Sequence, residues 1–218
     1  MKKTKAFAMT LCLFVLSSCG LVDKLGFDTY DYMSETVTGS YDINSETAVM
    51  LEKLLGVLVL DSPVLETFDS MSDAIRAYRD AVLNYMLQSD YSKYSGNVEL
   101  IEKAERAYPE YNITQIIPES EFEATMYRYF GGDVMITHRD GSRFKYLSKV
   151  GAYISAVSPA SNGLHVDITS LEETAKTYRV RFRVLSEELF SEEYFALVIK
   201  REDGTYYIKK LLNSVTVR

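Results

Sequence analysis

Cysteine is almost missing from this chain. Cys12 and Cys19 are the only two, and both lie within the first twenty residues. Everything downstream therefore lacks a thiol nucleophile, a disulfide and a cysteine-ligated metal. Histidine is equally scarce, with only His138 and His165. There is no Gly-rich phosphate loop, His-Glu-x-x-His helix, Gly-x-Ser-x-Gly elbow or calcium loop, so enzymes built on those motifs are disfavoured and no cofactor is expected. No basic tract offsets the formal charge of −7, which makes nucleic acid an unfavourable partner. Tryptophan is absent while tyrosine occurs 17 times, a composition suited to strands and half-wet surfaces. An apolar fraction of 47% is enough to build a core.

The first twenty residues have their own layout. Lys2, Lys3 and Lys5 precede an apolar run from Ala6 to Leu16, followed by Ser17-Ser18-Cys19-Gly20. The run is about eleven residues, short of the roughly 20 that span a bilayer as a helix. This is the arrangement of a secretory signal, to be kept out of the fold. Leu16-Ser17-Ser18-Cys19 resembles the lipobox of bacterial lipoproteins, an aliphatic residue and two small residues before an obligatory cysteine. The resemblance implies cleavage after Ser18, lipid on the Cys19 sulfur, and an extracytoplasmic protein held to a bacterial membrane through Cys19. Two or three acyl chains would anchor it stably, since one chain alone binds marginally. Loss of residues 1–18 removes three lysines and no acid, leaving 21 basic and 31 acidic side chains and a charge of −10.

Residues 19–42 read as a tether, reaching at most about 70 Å when fully extended. A helical region is expected over 43–110. Val49, Leu51, Leu54, Leu55 and Leu58 follow a cap at Asn44-Ser45. Pro63 suits the first turn of a short helix. From Ser72-Asp73 to Ser89, Ile75, Tyr78, Val82, Tyr85 and Met86 share one face, with Arg76, Arg79, Asp80 and Asn84 opposite. A loop is expected at Ser92–Gly96, then a helix beyond Asn97 that stops before Pro109.

An α+β sheet domain is expected over 111–218. It opens with a helix from Pro118 to Phe130 capped by Gly131. Val134, Ile136 and His138 alternate as a strand, with Asp140-Gly141 as the hairpin turn before Phe144 and Tyr146. Gly151–Val157 is a strand, and Ser158–Gly163 is a loop. An opener at Leu164–Glu172 precedes strands at Tyr178–Val184, Tyr194–Lys200 and Thr205–Asn213, the last two joined across Asp203-Gly204. Short connections make neighbours antiparallel, so one helix can cover a curved sheet.

The run Ile117-Pro118, helix, Tyr129-Phe130-Gly131-Gly132-Asp133, then strands ending at Asp203-Gly204-Thr205-Tyr206-Tyr207-Ile208, resembles cystatin-like and NTF2-like domains over about 100 residues. It is also similar to secreted bacterial inhibitors of peptidoglycan endopeptidases, the IseA type. The resemblance implies a helix on a curved antiparallel sheet, and either protein binding or a cone-shaped pocket.

Three groups of residues are candidates for function. His165 and Asp167 share a strand face, as i and i+2, and could serve as base and orienter. Because Val166 and Ile168 look buried, that pair is expected to face outward. Arg179, Arg181 and Arg183 form a row that could grip an anionic wall polymer, or pair with Glu172, Glu173 and Glu202 across strands. Leu189-Phe190, flanked by Glu187, Glu188, Glu192 and Glu193, could dock into a cationic groove of a partner. The reading that follows is a non-catalytic envelope lipoprotein, binding an envelope protein, a wall-active enzyme or a cell-wall component. The alternative is a small-molecule binder or enzyme of the cone type using His165 and Asp167.

Overall fold

The computed structural model describes residues 31–132, 135–155, 163–186 and 192–213. The fold is α+β, with five α-helices and two antiparallel sheets among these residues. The helices are α1 (Glu46–Leu55), α2 (Met71–Ser89), α3 (Tyr91–Ser95), α4 (Val98–Ala107) and α5 (Glu119–Phe130). The strands are β1 (Gly39–Ser40), β2 (Ile116–Pro118), β3 (Phe144–Leu147), β4 (Ala152–Ser155), β5 (His165–Glu173), β6 (Thr177–Leu185), β7 (Tyr194–Lys200) and β8 (Tyr206–Asn213). One sheet runs β1-β5-β6-β7-β8, and the other runs β2-β4-β3.

The larger sheet is legible in its residues. On β6, Tyr178, Val180, Phe182 and Val184 point into the core, and the arginines between them point out. An extra residue at Thr169 lets Leu171 return to the inner face after Val166 and Ile168. An extra residue at Lys209 does the same for Leu211 after Ile208. Strand β7 has almost no polar residue because both of its faces are covered. Tyr194, Ala196 and Val198 enter the main core, while Phe195, Leu197 and Ile199 form an outer cluster with Tyr32, Met33, Tyr207 and Leu212.

The tether expected over 19–42 does not extend through residues 32–41, which pack on the sheet. Tyr32 and Met33 lie on the outer face of the sheet, Thr38 and Tyr41 bond to β5 backbone, and Gly39-Ser40 pair with Glu172-Glu173. Apolar side chains of β7 that would otherwise face water explain why this segment is held.

The N-terminal helices cap the same core as the sheet. Ala48, Leu51 and Leu55 of α1, and Ala74, Tyr78 and Val82 of α2, join one cluster with Phe122 and Met126 of α5 and the inner face of the sheet. Ser45 caps α1, Ser70 rather than Ser72-Asp73 caps α2, and Asn97 caps α4, each through its side-chain oxygen. A smaller cluster joins Leu100, Ile101 and Ala104 of α4 to Ile116, Leu147 and Ile154 of the three-stranded sheet. Helix α5 ends at Gly131, whose φ of 72° and contact with the Tyr207 ring leave no room for a Cβ.

Three local expectations fail. Pro63 opens no helix, because residues 61–70 run to the sheet edge, where Phe68 and Leu211 exchange backbone hydrogen bonds of 2.8 Å. The loop at Ser92–Gly96 is mostly the short helix α3, capped by Asp90. Residues 135–143 form no strand, and Asp140-Gly141 joins no hairpin. This segment is instead tied to helices on either side. Asp80 of α2 accepts from the Ser142 and Arg143 amides, and His138 contacts Glu123 of α5.

Candidate functional site

The 135–139 segment lies between α2 and α5, extended, so its side chains alternate between two environments. Ile136 and His138 turn toward the core and α5, while Met135, Thr137 and Arg139 turn toward α2.

On the first side, His138 is enclosed. Its Nδ1 lies 3.0 Å from the Tyr153 hydroxyl, and its Nε2 lies 3.0 Å from a Glu123 oxygen and 4.0 Å from Glu119. A proton on Nε2 satisfies both short contacts, with Nε2–H donating to Glu123 and Nδ1 accepting from Tyr153. The Tyr146 ring stacks on the imidazole at 4.9 Å, and its hydroxyl donates to Glu119. Phe122 closes another edge. The His138 side chain is 13% exposed. Burial pushes the Tyr153 hydroxyl up to about 12, and burial plus the bond to Glu119 pushes Tyr146 to about 12 as well. The groups resemble an acid–base set, but both ring nitrogens are engaged and the ring face is covered.

On the other side is an open hollow of about 300 Å³ between α2 and the segment. Arg76, Arg79 and Arg139 line it, with Ile75 and Met135 as its apolar part. Arg76 is exposed and paired with Asp73 at 2.9 Å. Arg139 is exposed and has no ion pair among the described residues. Arg79 is only 5% exposed. Its Nη2 donates to the Thr137 carbonyl at 3.4 Å, and its Nε is buried with no hydrogen-bond partner among the described residues. Burial, together with the charge of Arg139, lowers the Arg79 pKa, partly offset by Tyr153 and Asp80. Arg79 and Asn84 belong to the polar face that helical periodicity expects, yet both are buried, because distant segments cover that face.

The arginine row of β6 is held differently. Arg179 donates through Nη2 to the carbonyls of Met33 at 2.8 Å, Glu35 at 2.7 Å and Tyr32 at 3.5 Å. Arg181 lies 3.7 Å from Glu193 and over the Phe195 ring. Arg183 is exposed, with Asp167 opposite it on β5. None of the glutamates expected to neutralise the row across strands, Glu172, Glu173 and Glu202, forms an ion pair with it among the described residues. Glu173 takes Lys200 and the Tyr41 hydroxyl, which hold its carboxyl below the usual range, and Glu172 faces Arg179 in register without an ion pair. Arg179 and Arg181 share a shallow hollow of about 130 Å³ with Met33 and Phe195.

His165 and Asp167 point outward, as expected from the buried Val166 and Ile168, and no hydrogen bond joins them among the described residues. Cys19, Leu189 and Phe190 lie outside the described residues. Among the described residues, no helix is long and apolar enough to cross a membrane, and no cluster of three or more His, Cys, Asp or Glu could hold a metal. Comparison with protein families, curated proteins and solved structures finds no match to this chain.

Proposed function

We propose that this chain is a lipid-anchored protein of the bacterial envelope, whose folded part binds another molecule there and performs no reaction. The observation that carries the binding reading is the filled inner face of the larger sheet. Tyr178, Phe182, Tyr194 and Val198 pack there beneath α1, α2 and α5, where a cone-type enzyme would need an open pocket. The anchor rests on Leu16-Ser17-Ser18-Cys19. Because Tyr32 already packs on the outer face of the sheet, chain geometry allows Cys19 to lie no more than about 45 Å from it. The partner would be an envelope protein, a wall-active enzyme or a wall component within that distance.

A relation of residues 111–218 to cystatin-like and NTF2-like domains is the finer part of this proposal. Helix α5 packed with β8 in a consecutive antiparallel meander supports it. The second sheet, and α1 and α2 on the same core, are additions to that plan. Leu189 and Phe190 remain the proposed apolar tip of a docking loop ringed by acids.

Metabolic labelling with palmitate tests the anchor. Label on the wild type and none on Cys19→Ala is expected, and equal label on both would remove the claim. Capture from an envelope extract tests the docking tip. Alanine at both Leu189 and Phe190 should abolish capture of the wild type's partner while leaving the melting curve unchanged.

A further inference from the structure

We propose that the hollow between α2 and residues 135–139 binds a phosphate group, carried by a small molecule or by a lipid headgroup. The site is independent of the Cys19 anchor and of Leu189-Phe190, so it stands or falls separately from them.

Unmatched charge is the first argument. Arg76 already has Asp73 at 2.9 Å. Asp80, the next acid along the helix, offsets part of the Arg79 charge but lies beyond ion-pair distance, and its Oδ2 takes the Ser142 amide, the Ser142 hydroxyl and the Arg143 amide. No carboxylate among the described residues lies within ion-pair distance of Arg79 or Arg139. Two positive charges therefore repel each other across one hollow, in a chain whose formal charge is −7. Elsewhere Arg143 pairs with Asp61 and Arg181 with Glu193, while Arg179 and Arg201 are held by backbone carbonyls.

The second argument is the state of Arg79. A guanidinium that is 5% exposed, with a buried Nε lacking an acceptor among the described residues, is costly to maintain. An oxyanion seated in the hollow would restore what burial removed. Its charge would offset desolvation, and the outer guanidinium nitrogens would each gain an acceptor oxygen.

The choice of anion follows from the count of charges. A carboxylate carries one negative charge and leaves one arginine unmatched. A phosphomonoester carries about −1.5 to −2 and has three strong acceptor oxygens, which suits two converging guanidinium groups. The Ser72 hydroxyl adds a neutral donor on the wall, and Ile75 and Met135 offer apolar surface to the carbon part of the ligand. About 300 Å³ is at the small end of ligand sites, enough for a phosphate and a few attached carbons.

The test uses the full chain mixed with phosphatidylcholine vesicles, with equilibrium dialysis against radiolabelled inorganic phosphate at fixed ionic strength. Saturable binding at one site per chain is expected. Arg79→Met and Arg139→Gln should each weaken it about tenfold or more, while Arg128→Gln, at an exposed position on α5, should leave it unchanged. Arg139 is exposed, so its substitution keeps the test valid even if Arg79→Met misfolds. Doping the vesicles with phosphatidic acid separates the two sources. Displacement of the radiolabel assigns a headgroup ligand within reach of the membrane, and retention assigns a soluble phosphoester. Absence of saturable phosphate binding, or binding that Arg139→Gln leaves untouched, overturns the proposal.

Discussion

Two sets of three arginines sit on this protein, and they differ in what surrounds the charge. Arg179, Arg181 and Arg183 alternate along one strand, and the first two are engaged. Arg179 gathers three carbonyls of the N-terminal segment, and Arg181 has Glu193 and the Phe195 ring. Arg76, Arg79 and Arg139 come from a helix and a distant extended segment, and only Arg76 has a carboxylate. In the strand row, Arg179 is the cement that fastens residues 32–35 to the outer face of the sheet. In the hollow's set, Arg79 and Arg139 have no carboxylate within ion-pair distance among the described residues. Proximity of like charges along a strand therefore says less about binding than the presence or absence of acceptors around them.

The largest effect expected comes from removing what the strand row fastens. A chain beginning at residue 42 would uncover Phe195, Leu197 and Ile199 and lose at least about 3 kcal/mol in denaturant unfolding. Stability equal to that of the longer chain would show residues 31–41 to be a tether after all. Arg179→Ala should cost about 1.5–3 kcal/mol and raise amide exchange over residues 32–35, where the Tyr32, Met33 and Glu35 carbonyls lose their donor.

A smaller loss is expected at high pH. Tyr153 and Tyr146 ionise near 12 in the fold against about 10 in the unfolded chain, so the unfolded state releases its protons first. Their contribution is intact below pH 10 and declines as pH rises from about 10 through 12. Ultraviolet titration of phenolate should show both tyrosines lagging, and Tyr153→Phe should remove one late-titrating group. The smallest effect should be Arg183→Ala, within about 0.5 kcal/mol, since that side chain is exposed at the end of the row.

The sheet meander could be read in the sequence because alternation, Gly204 and short connections are local properties. Strand β7 matched its expected limits, and β5, β6 and β8 came within a residue or so. Two physical facts hid the rest. Period two marks any extended segment whose neighbours differ on its two sides, so Val134-Ile136-His138 imitated a strand where no ladder exists for 135–143. Helical amphipathicity identifies the apolar stripe of α2 but not whether a remote segment covers the opposite one. Arg79 and Asn84 are buried by residues they meet only after folding, namely 135–139 and Asp61. The histidine enclosure was equally hidden, since Tyr146 and Glu119 reach His138 from β3 and α5. No periodicity links Tyr32 and Met33 to Arg179, more than 140 positions away.

The most direct measurement is the thermal midpoint of the wild type and Arg79→Met, each with and without saturating inorganic phosphate at fixed ionic strength. Without phosphate, the variant should melt at or above the wild type, because a buried and unmatched charge has been replaced by an apolar side chain. With phosphate, only the wild type should rise, as a ligand that binds the folded state requires. An Arg79→Met chain melting well below the wild type, with neither protein responding to phosphate, would contradict the account.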